Sequence, residues 1–487
     1  MTRVLGLDLG TQSAKAVIYD AALAVRGVGR AAIATRFPRP GWAEQDPGDW
    51  ERAIGRAVAG ALADAGCAAT AIAAVAITGQ LDGLVAVDEG GAALGPAWPW
   101  LDRRAVAAAA RVAPARLRAI AGQVADASHL AAKAHHWDQH GARRAAAFHV
   151  PVSYLVERLT GARVLDPSHA STTMLYDLAA SAWSAELCAV FEIEAARLPA
   201  IAPASATAGV VTTAGAAWSG LAVGTPVAVG TGDDFATPLG IGLAADALLC
   251  AVGTAEVVGC RGPIEFRDPI GLVETHPYPA SAGFIENPGW SAGGAIAWLA
   301  ALTGHHPEAL DRAAAAAGPG ADGVRFVPAL GGAMVPRWDP VARGAFVGLG
   351  PGHGPGHLAR AIYEACATAM DTVGGHLRDR GLTWHTIALV GGGAAAETWA
   401  QVRADLAGRP VARYAEVDAA PRGAAMLALA VAEACALADV IARAPPPTGW
   451  LDPAPELAAT YRAIADEVLT ATAAIGPLDH AHAAATP

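Results

Sequence analysis

The sequence predicts two α/β halves of similar plan, and three observations carry that reading. Short apolar runs of strand length alternate with longer helical patterns, which is the order of α/β proteins. Each half opens on a strand, a glycine turn and a second strand: residues 4–8, Gly10-Thr11-Gln12 and 14–19 in the first, and 251–258 around Gly253-Thr254 in the second. The chain has 487 residues, enough for more than one core. The boundary is placed near residue 243, giving domains 1–243 and 244–487.

The run Val4-Leu5-Gly6-Leu7-Asp8 is apolar enough for a buried strand, and Ala14-Lys15-Ala16-Val17-Ile18-Tyr19 returns as its hairpin partner. Asp46 before Pro47 reads as an N-cap with proline at the first helical position, so a helix is predicted over 47–65. Residues 73–77 form a strand entering Thr78-Gly79-Gln80, and 85–88 form another, closed by Glu89-Gly90-Gly91. Helical patterns then dominate to about Leu159. Thr225-Pro226-Val227-Ala228-Val229-Gly230 is a strand entering a glycine-rich turn. A late strand over 386–390 enters Gly391-Gly392-Gly393, and a helix follows over 397–406. There is no short-period repeat.

Hydrophobic residues make up 53% and charged residues 16%, which argues against a mostly disordered chain. The net charge is −11 with no basic run, which argues against nucleic acid or an anionic membrane as partner. Cys67, Cys188, Cys250, Cys260, Cys366 and Cys435 form no C-x-x-C, so neither a zinc site nor a disulfide framework is predicted. Asp8 comes too early for a signal-peptide core, and the longest uncharged stretch, 198–232, is broken by Pro199, Pro203 and Pro226. A cytoplasmic globular enzyme is expected. The histidines show no metal-ligand spacing, and His135-His136 and His305-His306 are read as surface residues.

Four constellations carry chemistry. Asp8-Leu9-Gly10-Thr11-Gln12-Ser13 puts a carboxylate at a strand end and backbone N–H groups in a tight turn. The acid suits a magnesium ion, Lys15 adds positive charge, and glycine lets a phosphate approach, although a plain hairpin turn has the same sequence. Gly230-Thr231-Gly232-Asp233-Asp234 sets two acids at a strand end, where ligands sit in open α/β sheets. One of them suits accepting a proton from a substrate hydroxyl. Gly253-Thr254 and Gly391-Gly392-Gly393 suit a phosphate or a nucleotide base. Gln80-Leu81-Asp82-Gly83 and Trp98-Pro99-Trp100-Leu101-Asp102-Arg103-Arg104 offer amide, carboxylates and aromatic faces to a polyhydroxylated ligand. The tryptophans equally suit core packing, and Asp102 with Arg103 a structural ion pair. No Gly-Lys pair exists, so a P-loop is absent. No G-x-G-x-x-G follows the first strand, and the protein-kinase motifs are missing.

Gly344-Ala345-Phe346-Val347-Gly348-Leu349, then seven residues and His357-Leu358, with Ala361-Ile362-Tyr363-Glu364 after it, resembles the C-terminal signature of the FGGY carbohydrate kinases. Pro40-Gly41-Trp42-Ala43-Glu44-Gln45-Asp46-Pro47, Trp338-Asp339-Pro340, Gly391-Gly392-Gly393-Ala394 and Arg422-Gly423-Ala424-Ala425 extend the resemblance from residue 4 to about 465. The resemblance implies an α/β fold of two actin/Hsp70/hexokinase-like (ribonuclease H-like) domains with a cleft between them. The first would hold sugar and phosphate, the second the nucleotide. It implies transfer of the γ-phosphoryl of ATP, with Mg²⁺, to a primary hydroxyl of a small ketose. Asp233 is the implied base, and Asp8 and Asp233 the implied magnesium positions. Gly10, Thr11, Gln12, Lys15, Gly253, Thr254, Gly293, Gly392 and Gly393 are implied at the ATP. Gln80, Leu81, Asp82, Trp100, Asp102, Asp233 and Asp234 are implied at the sugar.

Length and flanks are most similar to the xylulokinase branch, which implies D-xylulose and xylose metabolism. Two departures stand out. Gln80-Leu81-Asp82-Gly83 occupies the place of Gln-Met-His-Gly, and Asp234 the place of Asn. Both replace hydrogen-bond donors with acids that only accept when ionised. Ribulose, L-xylulose and erythritol are therefore alternative acceptors, and a non-catalytic nucleotide-gated protein is the alternative from another class. Trp137 also follows Lys133 one position later than in the family's N-terminal signature. The partners implied are ATP and the small-molecule sugar, without nucleic acid or membrane; a homodimer is compatible.

Overall fold

The computed structural model describes residues 2–415 and 418–485. Its first sheet contains β1 (Arg3–Leu9), β2 (Ser13–Asp20), β3 (Val25–Ala32), β4 (Ile72–Gly79), β5 (Thr207–Val210), β6 (Pro226–Ala228) and β7 (Thr231–Gly232). The strand order is β5-β6-β4-β1-β2-β3, with β7 pairing β4. β1, β2 and β3 run antiparallel as a meander, while β4 lies parallel to β1. The predicted hairpin is therefore present. The helix α1 (Pro47–Asp64) covers one face, with Asp46 accepting from the Gly48 amide as its N-cap.

The second sheet repeats this plan with β8 (Ala247–Val252), β9 (Ala255–Gly262), β10 (Glu274–Tyr278), β11 (Ser281–Ser291), β12 (Thr386–Val390), β13 (Val411–Tyr414) and β14 (Gly449–Leu451), in the order β10-β11-β9-β8-β12-β13-β14. Its opening hairpin β8–β9 is again antiparallel, and β12 again parallel to the first strand. The long helix Pro355–Asp379 supplies the buried side chains Ile362, Tyr363, Cys366, Met370 and Val373 to the core on one face of this sheet.

Two helices join the halves. The helix Asp233–Gly240, from the end of the first half, puts Phe235 against Leu249, Phe284 and Ala388 of the second sheet. The helix Ala419–Glu433, late in the chain, packs Ala424 to Ala430 on Val4, Val17, Ala74 and Ala76 of the first sheet. The contact is backbone to backbone. A Cβ on Gly6 would stand 1.9 Å from the Pro421 carbonyl oxygen, and one on Gly423 would stand 2.0 Å from that of Ala236. The glycines permit an approach no larger residue allows.

Helices dominate to about Leu159 as expected, with one short strand, Ala147–His149, pairing with Val85–Val87. One expectation is corrected. His135 is buried rather than superficial, its Nδ1 2.9 Å from the Phe191 carbonyl oxygen, whereas His305 and His306 are exposed. Among the described residues the six cysteines are free, and no helix is long and apolar enough to cross a membrane.

Candidate active site

The site forms where β1, β4 and β7 end together. In register, Asp8 stands beside Lys15 on β2 and beside Thr78 on β4, and Thr78 stands beside Thr231 on β7. Asp233 and Asp234 follow directly, in the first turn of Asp233–Gly240. The break between β6 and β7 needs glycine: Gly230 has φ +80°, and a Cβ there would meet the Ile77 carbonyl oxygen at 2.1 Å. Pairing with β4 therefore delivers both acids to the strand ends.

The carboxylates are electrostatically frustrated. Burial pushes Asp8 up to about 6, against the charge of Lys15. Asp233 is driven well above the usual range by burial, then by Asp234 and Asp8. Burial and Asp82 push Asp234 up to about 7. Like charges held together out of water favour the protonated form. Lys15, expected at a phosphate, donates to Asp418 Oδ1 at 2.9 Å, and Arg30 bonds the other oxygen at 2.8 Å. Sequence reading had no way to pair residues 403 positions apart.

The sugar wall and the phosphate turn share atoms. Trp100 is 40% exposed and donates from Nε1 to Thr11 Oγ1 at 2.9 Å. Gln80 donates to Gln45 Oε1 at 3.0 Å, and Gln45 donates to the Thr11 carbonyl oxygen at 2.7 Å. Gln45, inside the Trp42-to-Asp46 motif, had no role assigned from sequence. Leu81 lies so close to Gly232 that a Cβ there would meet its Cδ2 at 1.9 Å. Asp82 holds a left-handed backbone, φ 58°, uncommon outside glycine. Its carboxylate accepts from His129 Nδ1 at 3.0 Å. Burial opposes the charge on Asp82, but His129 outweighs it and holds the acid below the usual carboxylate range; the same pairing lifts His129 to about 9 against its own burial.

Asp102 is placed differently from expectation. It is wholly buried, accepts from the Ala43 amide at 2.8 Å, and pairs with Arg104 at 2.8 Å rather than with Arg103. Arg103 instead takes Asp126. The Asp102 carboxylate thus braces the wall from behind. His129, His169, Asp166, Glu274, His276 and Glu286 also converge here and were missed. Only Asp166 carried a sequence signal, an acid before Pro167 at a helix start; His169 follows in that helix, Glu274 and His276 come from β10 and Glu286 from β11.

The remaining glycines divide by exposure. Gly253 and Thr254 are exposed at the β8–β9 turn. Gly293 supports that turn from behind, since a Cβ on it would meet the Gly253 carbonyl oxygen at 2.1 Å. Gly392 is exposed with open space around its Cβ position, whereas Gly393 is buried against Val252.

These residues fit a nucleotide and a hard divalent cation. Asp8 and Asp233 are neighbouring oxygen donors with too little positive charge around them, as such a cation requires. Among the described residues there is no cluster of three or more metal-ligating side chains.

A doubly repeated α/β plan with acids and glycine turns at the strand ends is the architecture of the actin and hexokinase class. The chain belongs to the FGGY family of carbohydrate kinases: the model of the family's N-terminal domain matches residues 3–240, and that of its C-terminal domain matches residues 248–432. It is 33% identical over 456 residues to a glycerol kinase of Bordetella parapertussis, covering 87% of this chain and 88% of that one. It is 31% identical over 440 residues to a xylulose kinase of Escherichia coli, covering 87% and 89%. The solved xylulose kinase of Rhodospirillum rubrum superposes with a TM-score of 0.83 at 28% identity, covering 98% of this chain and all of that one. Glycerol and xylulose kinases thus stand at similar distance from this chain, and the xylulokinase branch is not singled out.

Proposed function

We propose that this protein is an ATP-dependent kinase that phosphorylates a primary hydroxyl of a small ketose or polyol, with a pentulose such as D-xylulose as the first acceptor to test. The observation that carries the reading is the convergence of Asp8, Thr78, Thr231 and Asp233 at one strand end, beside the Gln80-to-Asp82 wall. Likeness to glycerol kinases supports glycerol as a second acceptor.

In this reading ATP supplies the phosphoryl group and a divalent cation at Asp8 and Asp233 neutralises charge on it. Phosphoryl transfer asks the protein for positioning more than covalent chemistry. Asp233 accepts the hydroxyl proton, and its raised affinity for protons makes it a stronger base than an exposed carboxylate. The amides of Thr11 and Gln12 and the exposed Gly253-Thr254 turn orient the phosphates, while the Gly10 amide closes the turn on the Ser13 carbonyl oxygen at 3.0 Å. Gln80, Asp82 and Trp100 orient the acceptor. The reading is tested by coupled ADP release over a panel of pentuloses, hexuloses and polyols that includes D-xylulose and glycerol. Turnover that rises with one or more of them is expected. ATP turnover indifferent to every one of them would point instead to a nucleotide-gated protein without acceptor chemistry.

A further inference from the structure

Two buried side chains near Asp233 carry polar atoms that the protein leaves unsatisfied and that the chemistry above does not use. His169 has no exposed surface, and neither ring nitrogen has a hydrogen-bond partner. Glu286, on β11, is 1% exposed, and its Oε2 also lacks a partner. Buried polar atoms without partners are costly and uncommon, so each asks for a reason.

Both side chains belong to the surroundings of the reacting centre. His169 lies in the short helix Pro167–Ser171, capped by Asp166. Asp166 accepts from Thr231 Oγ1 at 2.9 Å, two residues before Asp233, so this helix is fastened to the strand that delivers the base. Within the same segment, the Thr172 hydroxyl donates to the His169 carbonyl oxygen at 3.0 Å, and both Thr172 and His169 interact with Asp82. From the other half, Glu286 interacts with Asp234, Asp233 and Asp82. It is opposite Glu274 in the β10–β11 pair, and His276 stands 3.7 Å from its Oε1. His276 is held in turn by Ser171 Oγ at 2.8 Å.

We propose that His169 and Glu286 form a second wall of the acceptor pocket, and that this pocket selects an uncharged polyol or ketose over an aldonate. The proposal rests on the kinase reading above and names the acceptor class for the same site. A neutral imidazole offers one donor and one acceptor, and a carboxyl group offers an acceptor and, when protonated, a donor as well. A hydroxyl complements both, because it donates and accepts. Burial keeps His169 uncharged, down to about 4. A ligand carboxylate only accepts, and Glu274 and Glu286, opposite one another in the β10–β11 pair, offer it no fixed positive charge. The cations on that side are committed: His129 to Asp82 at 3.0 Å, and Lys133 to the Pro99 carbonyl oxygen at 2.9 Å and to that of Ser128.

The test uses the full chain and reads acceptor affinity apart from turnover. Binding of D-xylulose, glycerol, erythritol and D-gluconate is followed by thermal shift without ATP, and turnover by coupled ADP release. At least one neutral compound should bind, and gluconate should bind none or at least tenfold more weakly. His169→Phe and Glu286→Gln should each raise the Kd and KM of that neutral acceptor about tenfold or more, with the KM for ATP within twofold of wild type. His169→Asn, which keeps a donor and an acceptor, should recover part of the loss. Neutral-acceptor affinity within twofold of wild type in folded His169→Phe (His169→Ala where the phenylalanine variant does not fold) and Glu286→Gln, or gluconate binding as well as the neutral compounds, overturns the proposal. Acceptor binding without ATP turnover would sink the kinase reading alone. Turnover with unchanged affinities in these variants would sink the second wall alone.

Discussion

The two opening hairpins, β1–β2 and β8–β9, occupy equivalent places in the two sheets, yet they use their acids in opposite ways. In the first, Asp8 sits on the strand before the turn, half-buried and facing the site, with Lys15 opposite it. In the second, the turn itself is exposed and uncharged, and the nearby acid, Glu256, lies inside the core. It is wholly buried and bound to Arg403 at 2.5 Å and to the Cys250 thiol at 3.0 Å. An accessible acid with unmet charge can bind a cation, while one sealed with a guanidinium serves the fold. The position of an acid relative to the same turn separates chemistry from structure.

That contrast breaks in graded ways. Asp233→Asn, at the heart of the first half, should lower kcat by about 10²–10⁴-fold with acceptor and ATP binding nearly intact. A variant keeping more than about half of wild-type kcat would remove Asp233 as the base. Arg403→Met strikes the second half and leaves Glu256 as a buried unpaired charge. It should destabilise by about 3–5 kcal/mol in denaturant unfolding, with the kcat of the remaining folded enzyme unchanged. A specific fall in kcat there would mean that the second acid is not merely structural.

Asp8→Ala should weaken metal-dependent catalysis, on the order of 10²-fold, and should shift the Mg²⁺ dependence of the rate more than the acceptor KM. An unchanged Mg²⁺ titration with unchanged kcat would count against its assignment. The smallest effect concerns Asp82 and His129. His129 titrates at about 9 in the folded protein against 6.5 as its ordinary value. Its stabilisation is therefore fully present below about 6.5 and is lost as pH rises through about 9. Thermal unfolding measured across that window should show the loss, and Asp82→Asn should flatten it. An equal slope in both proteins would deny the pair its role.

How much of this was legible in the sequence follows the range of the interactions. The hairpins, the α1 helix with its Asp46 cap and the strand before Gly391 depend on apolar runs, caps and glycines within a few residues, and they stand where the sequence puts them. So do the acids at the strand ends, because a strand's end is a local property. The short strand Ala147–His149 was hidden, since its partner Val85–Val87 lies far away in the chain.

The sequence by itself determined the repeated α/β plan, the glycine turns and the acids Asp8, Asp82, Asp233 and Asp234. Only the tertiary structure decided what those acids face. It gave Asp82 to His129, Asp102 to Arg104 rather than Arg103, and Lys15 to Asp418, and it set His169 and Glu286, from separate halves, each within electrostatic reach of Asp82. The physical reason is that charge pairing and burial depend on distance in space. Pairs within the first half, such as Asp82 with His129, form as that half folds, whereas Lys15 meets Asp418 only when the helices Asp233–Gly240 and Ala419–Glu433 join the two sheets.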